Sequence, residues 1–133
     1  MKVFYAEANY GKEEINAVID VLENQRLALM SGEKVRELEK QVSFLFRKNF
    51  GLMTNSGSSA NLLAIKSLNL PEGTKVITPA LTFSTTVAPI VQSNLIPYFV
   101  DVYKSTMQID ASILSKLDLK NVSAICVPNL IGN

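Results

Sequence analysis

The chain has 133 residues, a formal net charge of +1, no histidine and one cysteine. Hydrophobic residues make up 47% of it and charged residues 19%, which is typical of a globular protein with its own apolar core. The near-neutral charge argues against a nucleic-acid binder, and no apolar run is long enough for a membrane span. His-dependent triads, disulfides and thiol-rich zinc sites are excluded as well. We therefore expect a cytoplasmic protein without a metal site.

Two amphipathic helices are predicted in the first 45 residues. Apolar residues recur at helical spacing in two stretches, namely Ile15, Val18, Ile19 and Leu22, then Val35, Leu38, Val42 and Leu45. Residues 26–32 between them are predicted to form a loop, in which Ser31 is a candidate N-cap for the second helix.

The rest of the chain alternates between strands and helices. Apolar strands are predicted at residues 50–54, 75–79, 95–102 and 122–127. Helices are expected after residue 56, over residues 83–92, where Pro89 predicts a kink or a late start, and after Asp110 as an N-cap. Apolar strands separated by helices indicate an α/β fold, a three-layer sandwich around a mainly parallel sheet. Cys126 is predicted to be core packing in the last strand.

A turn of small residues, NSGSS at positions 55–59, joins the first predicted strand to its helix. Gly57 allows close backbone approach, the serines add hydroxyls, and a helix N-terminus favours anions, so a phosphate is a candidate ligand. An alternative interpretation is that these residues form an ordinary turn and helix N-cap, which needs no ligand. The spacing matches neither GxGxxG nor a loop ending in Gly-Lys-Ser/Thr.

Three small or polar stretches follow or begin at predicted strand ends, at residues 55–59, 78–83 and 128–133. Ligands of open parallel sheets bind beyond the carboxyl ends of the strands. We therefore expect these stretches to gather around one site.

Four motifs, in this order and at these separations, resemble the DegT/DnrJ/EryC1/StrS family of pyridoxal-phosphate-dependent enzymes of nucleotide-sugar metabolism. They are NSGSSANL at 55–62, GTKVITPALTF at 73–83, PYFVDV at 97–102 and NLIGN at 129–133. The resemblance runs from residue 11 onward and implies part of the type I pyridoxal-phosphate (PLP) transferase fold. It implies a single incomplete domain over residues 1–133, the N-terminal part of the cofactor-binding large domain.

The resemblance also implies site residues. Gly57, Ser58 and Ser59 would hold the phosphate of PLP or pyridoxamine phosphate (PMP), and Phe83 would stack on the pyridine ring. Without the resemblance, Phe83 is predicted to be a core residue, because phenylalanine is usually buried. The catalytic lysine and the carboxylate beside the pyridine nitrogen match no residue of this chain, so no catalytic residue is assigned and the isolated chain is expected to be inactive.

The resemblance implies amino transfer to a nucleotide-linked keto sugar in polysaccharide biosynthesis, with glutamate as donor. We also expect homodimers or higher self-association. Two stretches, SGSSAN at 56–61 and TFSTTVAPI at 82–90, look closer to the sugar 3-dehydrase branch of the family than to the average aminotransferase. That branch uses PMP and removes a hydroxyl from a 4-keto-6-deoxy sugar. That reaction is one alternative. A non-catalytic phosphate-binding or dimerising module is the other.

Overall fold

The computed structural model describes residues 3–4 and 6–132. The chain divides into two compact units, residues 1–53 and 54–133, and each is described by itself. The single incomplete domain expected from the sequence stays a prediction.

The first unit contains helices α1 (Lys12–Asn24) and α2 (Glu33–Leu45), which confirms both predicted amphipathic helices. Helix α1 begins after Gly11, whose N–H donates to Glu14 Oε2 at 2.6 Å. This bond lowers the pKa of the Glu14 carboxyl below its ordinary value. Ser31 is not the N-cap of α2: Gly32 takes that position, and Ser31 has a left-handed φ of 58°.

The prediction of a strand at residues 50–54 is wrong, because these residues form no strand. Phe50 is 90% exposed and Leu52 79% exposed. The N–H of Met53 donates to Glu39 Oε1 at 2.7 Å, so its acceptor is a side chain and not the backbone of a neighbouring strand. An apolar run becomes a strand only where a neighbour supplies the hydrogen-bonding ladder, and the sequence pattern does not report that neighbour.

The second unit confirms the other three strands and the α/β class. Its elements are α3 (Gly57–Ser67), β1 (Lys75–Pro79), α4 (Ser84–Gln92), β2 (Ile96–Val100), α5 (Ala111–Leu114), β3 (Val122–Ile125) and a 3-10 turn (Leu130–Gly132). The strands form a parallel sheet in the order β2-β1-β3. Asp110 caps α5 as predicted, accepting from the Ser112 N–H at 2.9 Å.

Helices α3 and α4 cover one face of β1. Val76 of β1 is fully buried against Ile65 of α3, Ile90 of α4 and Leu95. Cys126 packs against this cluster, as predicted, and partial burial raises the pKa of its thiol.

The edge strands β2 and β3 are more exposed to solvent than β1. Ile125 of β3 is 60% exposed, and Ile96 and Phe99 of β2 are about half exposed. Within residues 3–4 and 6–132, no helix is both long and apolar enough to cross a bilayer.

Candidate cofactor site

Helices α3 and α4 both begin at the carboxyl edge of the sheet. Each helix is followed along the chain by a strand, α3 by β1 after residues 68–74 and α4 by β2 after residues 93–95, and these strands are parallel. The turns that follow the two helices meet at the opposite edge, where the Gly73 N–H donates to Asn94 O at 2.8 Å. The two helix N-termini therefore share one edge of the sheet, and it is the edge at which the sequence predicted a site.

The first turn of α3 has a side-chain cap and two remaining donors. Ser56 is the N-cap, and its Oγ accepts from the Ser59 N–H at 3.2 Å and donates to Ser59 Oγ at 3.2 Å. The N–H groups of Gly57 and Ser58 have no acceptor among the described residues. The N-cap expected from the sequence is thus present. It occupies only one of the three first-turn donors, so an anion can use the other two.

Nothing within the described chain requires glycine at position 57. Gly57 lies in a regular helix without positive φ, and a Cβ built on it meets no atom within 4 Å. Glycine in a helix costs about 0.5–1 kcal/mol relative to alanine. The open space beside its backbone is therefore the feature that distinguishes this position, and it suits close approach by a ligand from outside the chain.

The charges in the first turns of α3 and α4 also favour an anion. Helices α1 and α2 carry glutamates in their first turns, whereas the first turns of α3 and α4 carry no acidic residue. A helix N-terminus has a partial positive charge that carboxylates would offset. The donor set and the field together fit a phosphate group.

Phe83 is the N-cap residue of α4 and is 71% exposed. The structure therefore does not support the core position that its residue type alone suggests. A groove of about 230 Å³ between α3 and α4 is lined by Ser58 and Ser59 on one side and Thr85 on the other. The first turn of α3 thus lies across a groove from the first turn of α4, where Phe83 precedes Thr85 by two residues.

Pro89 lies inside α4 without ending it. Because proline has no N–H, the carbonyl of Thr85, four residues earlier, loses its usual helical donor. Asn61 of α3 supplies a replacement: its Nδ2 donates to Thr85 O at 3.3 Å. Sequence reasoning missed Asn61, although a proline inside a predicted helix signals an unpaired carbonyl one turn earlier.

Three threonines lie in β1 and at the start of α4. The Thr82 hydroxyl donates to Thr86 Oγ1 at 2.9 Å and ties the start of α4 to the segment that follows β1. Thr78 is fully buried in β1, and alternation along the strand puts it on the same face as Val76. Its Oγ1 has no hydrogen-bond partner among the described residues.

The third predicted stretch follows β3 along the chain. Its Leu130 carbonyl accepts from Gln108 Nε2 at 2.7 Å. Asn133, part of the predicted NLIGN motif, lies outside the described residues. The stretch at residues 55–59 lines the groove with Ser58 and Ser59, and Thr85 on the other side of the groove lies two residues after the stretch at 78–83. That all three stretches gather around one site stays a prediction.

Comparison with known proteins decides the family. Residues 8–133 match the DegT/DnrJ/EryC1/StrS aminotransferase family. The chain belongs to this family. GDP-4-keto-6-deoxy-D-mannose 3-dehydratase of Yersinia pseudotuberculosis is 34% identical to it, over 96% of this chain and 34% of the relative. The 3-oxo-glucose-6-phosphate:glutamate aminotransferase of Bacillus subtilis is 31% identical over 72% of this chain and 21% of its own length.

A solved structure confirms the predicted fold. The E. coli GDP-4-keto-6-deoxy-D-mannose-3-dehydratase with bound hydrated PLP matches with a TM-score of 0.88 and 34% identity, over 96% of this chain and 34% of the dehydratase. The DegT/DnrJ/EryC1/StrS chain thus has part of the type I PLP-dependent fold. It spans about a third of the length of the dehydratases that it matches.

Proposed function

We propose that residues 54–132 form the side of a PLP or PMP site that holds the cofactor phosphate and one face of its ring. The observation that carries this proposal is that α3 and α4 begin at the same edge of the sheet, and that neither has a carboxylate in its first turn. Helix α3 has unpaired N–H donors there, and α4 has the exposed aromatic ring of Phe83. The PLP bound to the E. coli dehydratase supports it.

Each proposed site residue has a separate role. The N–H groups of Gly57 and Ser58 bind phosphate oxygens, and the hydroxyls of Ser58 and Ser59 add donors. Phe83 covers one face of the pyridine ring by offset stacking. When bound, the cofactor supplies an electron sink for chemistry at the substrate. The groups that exchange protons with the substrate are not assigned to this chain.

For the whole protein we propose a reaction on a 4-keto-6-deoxy sugar linked to a nucleotide. Loss of the C3 hydroxyl is the first candidate, because the match to the Yersinia 3-dehydratase covers 96% of this chain. Amino transfer from glutamate is the second candidate, favoured by the family and by its match to the Bacillus aminotransferase. A role in polysaccharide biosynthesis agrees with either reaction.

The reaction is tested with the protein that carries this chain, supplied with a GDP- or dTDP-linked 4-keto-6-deoxy sugar, glutamate and PLP. Mass spectrometry of the sugar product separates the candidates, since one reaction removes the C3 oxygen and the other replaces the keto oxygen by an amino group. Borohydride reduction with cofactor then tests for a lysine adduct, which amino transfer predicts. An unchanged sugar would contradict both candidates.

The cofactor site is tested separately on the 133-residue chain. PMP is the better probe, because it has no aldehyde that could react with surface lysines. We expect PMP to bind and inorganic phosphate to displace it. We also expect the chain alone to leave glutamate unconverted, since no residue in it is assigned as the catalytic lysine.

Self-association is part of the proposal. The second unit exposes large apolar side chains on both edge strands, including Ile96, Phe99 and Ile125. Edge strands with exposed apolar side chains offer a surface on which another chain can pair. We propose that a second copy covers part of it, and sedimentation velocity over a range of chain concentrations tests this. A monomer at all concentrations would contradict it. The cytoplasmic location stays a prediction of the sequence.

A further inference from the structure

One hydrogen bond joins the two helices that carry the candidate site. Asn61 lies four residues after Gly57, about one helical turn along the same face of α3. Thr85 lies two residues after Phe83. The bond from Asn61 Nδ2 to Thr85 O, 3.3 Å long, therefore links the phosphate turn to the aromatic N-cap through a short path on each helix.

This bond depends on a defect that Pro89 introduces into α4. In a regular helix the Thr85 carbonyl would accept from the N–H of residue 89, and proline has none. Leaving a partly buried carbonyl without a donor is costly. The Asn61 amide satisfies that carbonyl from the neighbouring helix, so the proline leaves an acceptor in α4 that a side chain from α3 uses.

The turns that follow the two helices are also joined to each other. There the Gly73 N–H donates to Asn94 O, and Asn94 Nδ2 donates to Glu72 Oε1 at 2.8 Å. Those contacts fix the edge of the sheet opposite the candidate site. Asn61 and Thr85 join the helices within the half that carries the phosphate donors and Phe83.

We propose that Asn61 is a positioning residue, which sets the separation between the phosphate-binding turn of α3 and the aromatic N-cap of α4. This inference rests on the proposed cofactor site. A ligand that contacts both helix starts needs that separation, whereas a ligand that contacts only the α3 turn does not. Loss of the Asn61 amide should therefore weaken the binding of PMP and leave the binding of inorganic phosphate unchanged.

The test compares the dissociation constants of PMP and inorganic phosphate for the 133-residue chain and for Asn61→Leu, which removes the donor at similar side-chain volume. Loss of one hydrogen bond that positions a binding group predicts PMP binding weakened roughly three- to tenfold. Phosphate binding should stay unchanged, so the ratio of the two constants shifts. Asn24→Leu is the matched control, because among the described residues the Asn24 side-chain amide donates to Asp20 Oδ1 of its own helix, at 2.8 Å.

A merely structural role would weaken both ligands in parallel or change neither, and either result overturns the inference. If Asn61→Leu fails to fold, Asn61→Ala decides. That variant also removes the amide donor to Thr85 O and adds no apolar bulk, and the same shift in the ratio is expected. An unchanged ratio would overturn the inference while leaving the cofactor site intact. Absence of PMP binding by the unmodified chain would overturn the proposed function and this inference together.

Discussion

Substituting Gly57 by alanine should move stability and ligand binding in opposite directions. The built Cβ meets no atom within 4 Å, and the backbone of Gly57 is helical, so the methyl group causes no strain in the chain. Replacing glycine by alanine at such a position stabilises a protein by about 0.4–1 kcal/mol. The free energy of unfolding should therefore rise slightly.

The same methyl group would occupy the space through which a phosphate approaches the Gly57 and Ser58 N–H groups. We expect PMP and inorganic phosphate each to bind at least about tenfold more weakly, which corresponds to about 1.4 kcal/mol. Urea unfolding measures the first effect, and a fluorescence titration with PMP measures the second. Phosphate binding follows from its competition with PMP.

Gly51→Ala is the contrasting control. A Cβ at Gly51 lies 2.6 Å from the carbonyl oxygen of Glu39, so the backbone must shift. Such overpacking costs about 1–3 kcal/mol, while the fraction of protein that remains folded should bind PMP normally. The reasoning is refuted if Gly57→Ala binds both ligands as the unmodified chain does, or if it loses stability.

Four further variants test the structure. Phe83→Ala should weaken PMP binding but not phosphate binding, with the free energy of unfolding changed by less than about 0.5 kcal/mol because the ring is exposed; equal loss of both ligands would contradict this. Thr78→Val removes a buried hydroxyl that has no partner among the described residues and should stabilise by about 1–3 kcal/mol. Thr86→Val removes the hydroxyl oxygen that accepts from Thr82 and should therefore destabilise the protein. Urea unfolding compares the two valine variants. Asp110 has a lowered pKa, caused first by the Ser112 hydroxyl, so its stabilising effect is present above the ordinary value of 3.8 and is lost as pH falls through the folded-state value. The stability difference between the unmodified chain and Asp110→Ala should therefore shrink in acid; a difference that does not change with pH would exclude the carboxylate as its source.

The elements that could be predicted were those whose signal is local. The apolar stripe through Ile15 and Val18 specifies a helix face wherever the helix packs. The Asp110 cap needs only a partner two residues away, and it forms as expected. Strand β1 was predicted because an apolar run between turn signals and helices is typical of a buried parallel strand.

The failures concern contacts with distant residues. Residues 50–54 have the composition of a strand, but strand formation depends on a neighbour for pairing, and Met53 bonds to the Glu39 side chain instead. The N-cap of α2 is one residue later than expected, because Ser31 adopts a left-handed conformation and Gly32 precedes the helix. Both outcomes depend on how the chain folds back on itself.

Part of the candidate site could be predicted and part could not. The serine-rich turn follows from helix-capping chemistry, and its cap forms as the sequence indicates. The exposure of Phe83 conflicts with its residue type and was anticipated only through the family resemblance. The Asn61 to Thr85 bond joins residues 24 apart, so it becomes visible only when α3 and α4 are packed together.

The central claim is that two helix starts at one sheet edge hold a single cofactor. A crystal structure of the protein that carries this chain, with PMP bound, tests it most directly. We predict phosphate oxygens within about 2.7–3.2 Å of the Gly57 and Ser58 nitrogens, the usual range for N–H···O bonds, with the Phe83 ring on one face of the pyridine. A phosphate bound away from α3, or a pyridine ring that does not contact Phe83, would contradict the claim.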